Sequence, residues 1–536
     1  MFDGYDPNRF GPGRSAVICQ HGAIATSQPL AAQAGLQVLR DGGNAIDAAV
    51  ATAAVLNVVE PMSTGIGGDA FMLVYQPKDG VIRGLNASGR APYAAEREFF
   101  TKQGLTSIPA FGSMYPVTVP GTIDGWATLL DECGTMSLAE VLQPAIDYAE
   151  KGFPVSPQIS LAWQDSTAML AQHPDSARNY LMNGKAPVPG EIFRQRNLAR
   201  TFRLIAEGGR DAFYRGEIAD KIVQFSDANG GLFTRQDFAD HESDWVEPIS
   251  TNYRGYDVYE IPPNGQGIAA LLALNIVEGF NLGTMGHNSS EHLHYAIEAM
   301  KLGFADLYKY VTDPTFVDVP VAGLLADDYT ESQQARISPE RAHAGPNAGV
   351  PSMGSDTVYL SAVDSERNVV SFINSLFAGF GSGLTAGDTG IMLQNRGAGF
   401  SLDPEHANCI APHKRTLHTI IPGMIVQEGV PLVAFGVMGG QMQTQGHLQF
   451  VCNLVDFNMD VQSALDAPRF RVLDDSRIML EAGIPMNVQA ALAQRGHPIV
   501  SGNTFFGGGQ AIFINPAFDT LIAGSDPRRD GCAVGY

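Results

Sequence analysis

Between residues 292 and 311 the chain reads HLHYAIEAMKLGFADLYKYV, with apolar positions recurring three and four apart. That spacing predicts an amphipathic helix with one buried face. An earlier helix follows DGGN: Asn44 is a candidate N-cap, Asp47 stands three residues on, and Pro61 closes the element. SLAEVLQPAIDYAEKG (137–152) and IAALLALNIVEGF also read as helical. Strand patterns are interleaved with these. AFMLVYQ (70–76), PKDG and VIRGLNA (81–87) predict a hairpin, and YRGYDVYEIPP (253–263) is a further strand region. Strands then dominate: TVYLSAV, NVVSFIN (368–374), GIMLQN (390–395), GMIVQ and PLVAFGVM, with turn residues between them. Helices return at 441–455 and 487–495. The class is α+β or layered α/β, and periodicity alone does not choose the topology.

The strand in SDTVYLSAVD (355–364) is entered through Gly354-Ser355-Asp356. Val358, Leu360 and Ala362 fall on one face; Thr357, Tyr359 and Ser361 fall on the other. Threonine is common in strands, so the pattern alone gives Thr357 no special role.

Composition narrows the picture. The 536 residues are globular in make-up, 45% hydrophobic and 17% charged, and no linker, charge block or repeat divides them. One interlocked fold is expected. A net charge of −22 without any basic run excludes a nucleic-acid partner. The opening MFDGYDPNRFGPGRSAVICQHG has no basic segment followed by an apolar core, so it does not read as a secretory signal. AIDAAVATAAVLNVV (45–59) is short and carries Asp47, which predicts a buried helix and no membrane partner. Cys19, Cys133, Cys409, Cys452 and Cys532 are scattered and lack CxxC spacing, so free thiols and a cytoplasmic location are expected.

Several chemical signals are weak. FAGFGSGLTAG (377–387) and GIGGD (65–69) lack a phosphate-loop lysine and the strand–GxGxxG–helix setting. His292 and His294 are two apart on a helix and do not share a face, so they do not read as a metal pair. No HExxH or GxSxG occurs. PLVAFGVMGGQMQTQGH (431–447) is better: an apolar strand runs through Gly439-Gly440 into a helical segment. Such a glycine pair can expose two backbone N–H groups to an oxyanion, or can be a tight turn and no more.

Taken together, four blocks carry a resemblance: HGAIATSQPLAAQAGLQVLRDGGNAIDAAVATAAVLNVVEPMSTGIGGDAFMLV, PVTVPGTIDGWATLLDECG, SDTVYLSAVDSERNVVSFINSLFAGFGSG, and GVMGGQMQTQGH followed by LDAPRF. In that order they resemble the γ-glutamyltransferase family over almost the whole chain, and within it the signal-less, glutathione-hydrolase-like proenzymes. The resemblance implies an N-terminal nucleophile hydrolase with a four-layer αββα sandwich. It implies a chain that cuts itself between Asp356 and Thr357, giving residues 1–356 and 357–536 as large and small subunits that stay associated. Thr357 matches the catalytic threonine, and its new α-amine, with a reference pKa of about 7.7–8, would serve as base. Ser375 matches a hydroxyl residue that hydrogen-bonds the nucleophile, and Gly439 and Gly440 match the oxyanion-hole glycines.

The chain departs from the family in the substrate shell. The carboxylate-binding Arg position holds Ser88, with Arg90 two residues later and expected one pleat away on the same strand face. His418 and Thr419 stand where two carboxylate-holding hydroxyl residues are usual. Phe377 replaces an Asn, Arg396 a Gln, and Gly399 an Asp in the subsite for the α-amine. A cation gained and a carboxylate lost make that subsite hostile to an ammonium, unless Asp69 or Arg90 takes over. The expected activity is hydrolysis or transfer of a small-molecule acyl group through an acyl-enzyme, without metal, nucleotide or organic cofactor. The donor is a γ-glutamyl compound such as glutathione, or a related acid amide of oxamate or glutaryl type. An unprocessed, non-enzymatic homologue is the remaining alternative, and a homo-oligomer is compatible with all three.

Overall fold

The computed structural model describes residues 2, 4–6, 10, 13–343, 355–500, 502 and 505–536, and the side chains of Ser355 and Asp356 lie outside that description. Gly354, named above as the entry to the strand, also lies outside the described residues.

Two seven-stranded sheets form the centre. In one, the strand order is Cys532–Gly535, Ala23–Thr26, Ser355–Val363, Val369–Ala378, Asp69–Gln76, Val81–Ala87 and Asp244–Val246. In the other it is Val17–Cys19, Thr520–Ser525, Gly508–Asn515, Val430–Met438, Gly423–Gln427, Tyr256–Glu260 and Ile249–Tyr253. Each sheet mixes strands from before and after residue 356, so the two parts of the chain are interlocked through main-chain hydrogen bonds.

Three large hydrophobic clusters stack around these sheets. The first joins the helices Pro29–Arg40, Ala45–Val59, Thr122–Cys133, Leu138–Lys151 and Arg196–Tyr214 to the Thr357 sheet through Met72, Val358, Leu360 and Phe372. The second lies between the sheets, where Phe71, Tyr359 and Ile373 meet Met424, Ala434 and Ile512. The third packs the helices Gly267–Glu278, Ser290–Tyr310 and Met442–Val455 on the Gly439 sheet through Val258, Ile425, Val433 and Phe513. The mixed α+β class expected from the sequence is the class observed.

Local chemistry explains several boundaries. The Asn44 side chain accepts from the N–H groups of Ile46 and Asp47, and Asp47 reaches back to the Asn44 N–H, a complete capping box. Every residue of that helix is buried, as its apolar run requires, and among the described residues no helix is long and apolar enough to cross a membrane. The neighbouring helix comes close because Gly35 has no Cβ; one added there would lie 2.1 Å from Thr52 Oγ1. All five cysteines are free thiols.

The structure corrects two expectations and refines a third. GIMLQN forms no strand; an isolated bridge pairs Met392 with Thr385, and a 3₁₀ turn, Arg396–Gly399, follows. Its backbone is satisfied by other loops instead, with Leu393 N–H donating to Leu384 and Gln394 N–H to Gly67. The region 253–263 is the second half of a hairpin that turns at Arg254 (φ 51°) and Gly255 (φ 89°), the positive-φ pair of a tight β-turn. Finally, Thr357 is the third residue of its strand rather than the first, because Ser355 and Asp356 already pair with Ala378 and Phe377.

Candidate active site

Thr357 sits at an irregularity in the sheet. Asp356 pairs with Phe377 and Val358 pairs with Asn374, so Thr357 alone stands opposite Ser375 and Leu376. A bulge of this kind re-aims the side chains around it. Here it brings Thr357 Oγ1 to 3.1 Å from Ser375 Oγ. Both residues are almost completely buried. Ser375 Oγ also accepts the N–H of Phe377 at 2.8 Å, which helps hold Phe377 at φ 81°. That is an unusual backbone for a bulky residue.

Phe377 in turn faces Arg396, whose guanidinium carbon lies 4.2 Å from the ring centroid. Arg396 donates through Nη1 to Thr419 Oγ1 at 2.7 Å and through Nη2 to Ser375 Oγ at 3.3 Å. Its Nε has no acceptor among the described residues, although the side chain is 1% exposed. Burial pushes its pKa down to about 9, against a smaller upward pull from Asp69. A buried cation with an unused donor is costly to keep empty-handed.

Behind it stands Asp69, the last residue of GIGGD and the first of its strand. Asp69 Oδ1 accepts from Gly89 N–H at 3.0 Å, Gly121 N–H at 3.2 Å and Gln394 Nε2 at 2.9 Å. Its Oδ2 lies 3.1 Å from His418 Nε2. Burial alone would raise the Asp69 pKa, but the His418 hydrogen bond and the nearby charges bring it below the ordinary value. Burial, followed by Arg396, brings His418 down to about 4, so its imidazole is neutral and donates Nε2–H to the carboxylate.

The glycine pair comes from the other sheet, and the facing register places it. Tyr359 lies against Gly436, where an added Cβ would be 2.4 Å from the ring. Two residues on, Ser361 Oγ donates to the Ala434 carbonyl at 3.2 Å, two residues back. The strands therefore face each other in opposite senses, and Thr357 falls opposite Met438, the residue before Gly439. Gly439 has φ 122° and Gly440 φ 61°, a backbone that favours glycine. Among the described residues no acceptor takes either N–H. Gln266 ties this corner to the Arg396 side, because Nε2 donates to the carbonyls of both Gly440, at 2.8 Å, and Thr419.

Thr357, Ser375, Phe377, Arg396, His418, Thr419, Gly439 and Gly440 thus belong to one connected arrangement. Arg90 does not join it. The Val81–Ala87 strand ends before Ser88, so the expected pleat relation between Ser88 and Arg90 does not exist. Arg90 is engaged by Asp313 at 3.2 Å, by the His413 carbonyl at 3.4 Å and by Asp244 at 3.6 Å. Sequence reasoning missed Gln266, Gln394 and the pair His447–Glu260, whose partners are distant along the chain. GIGGD lacks the marks of a phosphate loop, and the sequence offers Asp69 only as a possible substitute in the amine subsite, not as the acceptor on which Gly89, Gly121, Gln394 and His418 converge.

A hydroxyl at a bulge, a second hydroxyl beside it and two unshielded N–H groups across the gap are the parts of an acyl-transfer site. A family model described as gamma-glutamyltranspeptidase matches residues 31–536. The chain belongs to the γ-glutamyltranspeptidase family. This member is 40% identical over 97% of its length, and 99% of the relative's, to the glutathione hydrolase-like YwrD proenzyme of Bacillus subtilis (strain 168). It is 36% identical to the acylase ACY 1 proenzyme of Pseudomonas sp. (strain SE83), over 96% of this chain and 93% of that one. The crystal structure of cephalosporin acylase from Bacillus halodurans superposes with a TM-score of 0.92 at 45% identity, covering 100% of this chain and 99% of that one. This γ-glutamyltranspeptidase-family chain is therefore an enzyme of the hydrolase and transpeptidase type, with the fold of that acylase.

Proposed function

We propose that this enzyme processes itself at Thr357 and then hydrolyses monoamides of short dicarboxylic acids. In the first step Thr357 Oγ attacks the carbonyl carbon of Asp356. A C–O bond forms, the C–N bond breaks, and the hydroxyl proton passes to the released nitrogen. Water then hydrolyses the ester, leaving a carboxylate on Asp356 and a free α-amine on Thr357. That amine has a reference pKa of about 7.7–8.0, so it can take the hydroxyl proton near neutral pH. In catalysis the same hydroxyl attacks the substrate amide, and the N–H groups of Gly439 and Gly440 receive the oxyanion. The proton goes to the leaving amine, and water resolves the acyl-enzyme.

Residues 1–356 and 357–536 stay together in this reading, supported by the strand mixing in both sheets. The stacked clusters support the four-layer αββα arrangement of N-terminal nucleophile hydrolases. Reduced cysteines support a cytoplasmic location.

The observation that carries the substrate class is Arg396: a buried cation touching Ser375, with an unused donor and, among the described residues, no carboxylate in direct contact. An acyl group ending in an anion would supply the missing charge. A second reading, γ-glutamyl amides such as glutathione, is favoured by the 40% identity to the glutathione hydrolase-like relative. It requires a group to hold the α-ammonium. Asp69 is poorly placed for that, since three donors fill Oδ1 and His418 faces Oδ2. The test is kcat/KM for glutaryl-p-nitroanilide against γ-glutamyl-p-nitroanilide. The first should be cleaved at least within about tenfold of the second, a gap of about 1.4 kcal/mol. A hundredfold preference for γ-glutamyl would contradict the dicarboxylic reading and support the second.

A further inference from the structure

Arg396 and its covering Phe377 close the acyl side of Thr357. A groove of about 680 Å³, within the ordinary range for small-molecule sites, runs between the helix Pro157–Asp165 and the segment 505–507. It meets the catalytic elements at two points. Gly379, on its wall, follows the last residue of the strand that carries Ser375 and Phe377. Gly507, on the opposite wall, backs onto Gly439: a Cβ on Gly439 would lie 3.2 Å from Gly507 Cα.

The lining is apolar where it is most open. Phe111, Leu161 and Phe505 are 46%, 57% and 52% exposed around this one groove, while Met169 and Phe506 lie deeper. Large apolar side chains left in water around one mouth mark a binding surface. The wall also carries charged residues, Asp165, Glu481, Arg528 and Arg529. Arg528 is saturated by Glu481, at 2.6 Å, and by Asp526, at 3.0 Å.

We propose that this groove is the leaving-group subsite and that it selects amides whose amine carries an apolar, ring-sized body over those of ammonia or small alkylamines. This rests on the reading of Thr357 as nucleophile, and it adds the half of the substrate that Arg396 does not touch. Ring burial against Phe111, Leu161 and Phe505 supplies the preference, since each side chain covered by a bound ring loses water-exposed apolar surface.

The test uses processed full-length protein and two amides with one acyl group, N-benzyl and N-methyl glutaramate, whose leaving amines are both simple alkylamines. The wild type should show a benzyl-to-methyl ratio of kcat/KM of at least about tenfold. In Phe111→Ala and, separately, Leu161→Ser that ratio should fall at least about fivefold, below the selectivity expected of an intact apolar pocket. Both positions are exposed, so folding is not at risk, and any general loss of activity cancels in the ratio. A wild-type ratio near one, or variants with the wild-type ratio, would overturn the subsite while leaving Thr357 chemistry intact. Protein that has split but turns over neither amide would overturn the acyl-group reading and this inference with it.

Discussion

Arg396 Nη2 lies 3.3 Å from Ser375 Oγ, the hydroxyl that itself meets Thr357. A buried guanidinium is therefore one side chain away from the hydroxyl proposed as nucleophile. If it pairs with the far anion of the acyl group, Arg396→Gln should cut kcat/KM for glutaryl-p-nitroanilide by about 10²-fold, in the range for an unpaired buried charge contact. Adding Gly399→Asp should shift preference toward γ-glutamyl-p-nitroanilide by at least about tenfold. The Asp side chain must displace Thr416 Oγ1 slightly, which stands 3.3 Å from the position of its Cβ. Unchanged selectivity in the double variant would remove Arg396 from substrate choice.

Gly440 has φ 61°, so Gly440→Ala pays about 1–2 kcal/mol for a left-handed backbone and puts a methyl beside the N–H pair. Turnover should fall toward the roughly 10²–10³-fold cost of losing an oxyanion donor, with KM little changed. Steady-state kinetics on folded, processed protein decides the matter. Wild-type kcat would make the glycine pair a turn only.

Two residues behind the glycines, Val437 N–H donates to His447 Nε2 at 3.3 Å, and His447 Nδ1 lies 2.5 Å from Glu260. All three are buried, and burial raises the Glu260 pKa. Removing one partner leaves the other stranded. Glu260→Ala should cost about 3–5 kcal/mol in chemical denaturation, and Glu260→Gln clearly less. Equal losses in the two variants would mean that volume, not the hydrogen bond, is what matters.

His418 has an ordinary pKa of 6.5 and is held at about 4, first by burial and then by Arg396. Between those values the unfolded chain binds a proton there that the folded chain does not. The stability gained by keeping His418 neutral is complete above about pH 6.5 and is lost as pH falls toward 4. The melting temperature of His418→Gln should fall less steeply than that of the wild type from pH 7 to 4.5. Parallel curves would place the lost proton elsewhere, for example at His241, which burial also brings to about 4.

Much of this was legible in the sequence where the causes are local. Asn44 and Asp47 cap a helix through residues three apart, and 70–87 turns back on itself through PKDG. The catalytic candidates stood in recognisable blocks, and Thr357, Ser375 and Arg396 do meet. What stayed hidden depends on long-range pairing. The bulge at Ser375-Leu376 exists only once two strands are in register, and no pattern along one strand announces it. The role of Asp69 depends on Gly89, Gly121, Gln394 and His418 converging from separate segments. Arg90 misled because the pleat argument assumed a strand that ends at Ala87.

Self-cleavage before Thr357 is the step on which the proposed chemistry depends. Incubated pure wild-type protein, resolved on a denaturing gel and sequenced from the N-terminus of its smaller fragment, tests it most directly. Expected are fragments of residues 1–356 and 357–536, a small-fragment sequence beginning TVYLS, and an intact, inactive Thr357→Ala variant. A small fragment starting at another residue, or an intact Thr357→Ala protein that still cleaves amides, would contradict it.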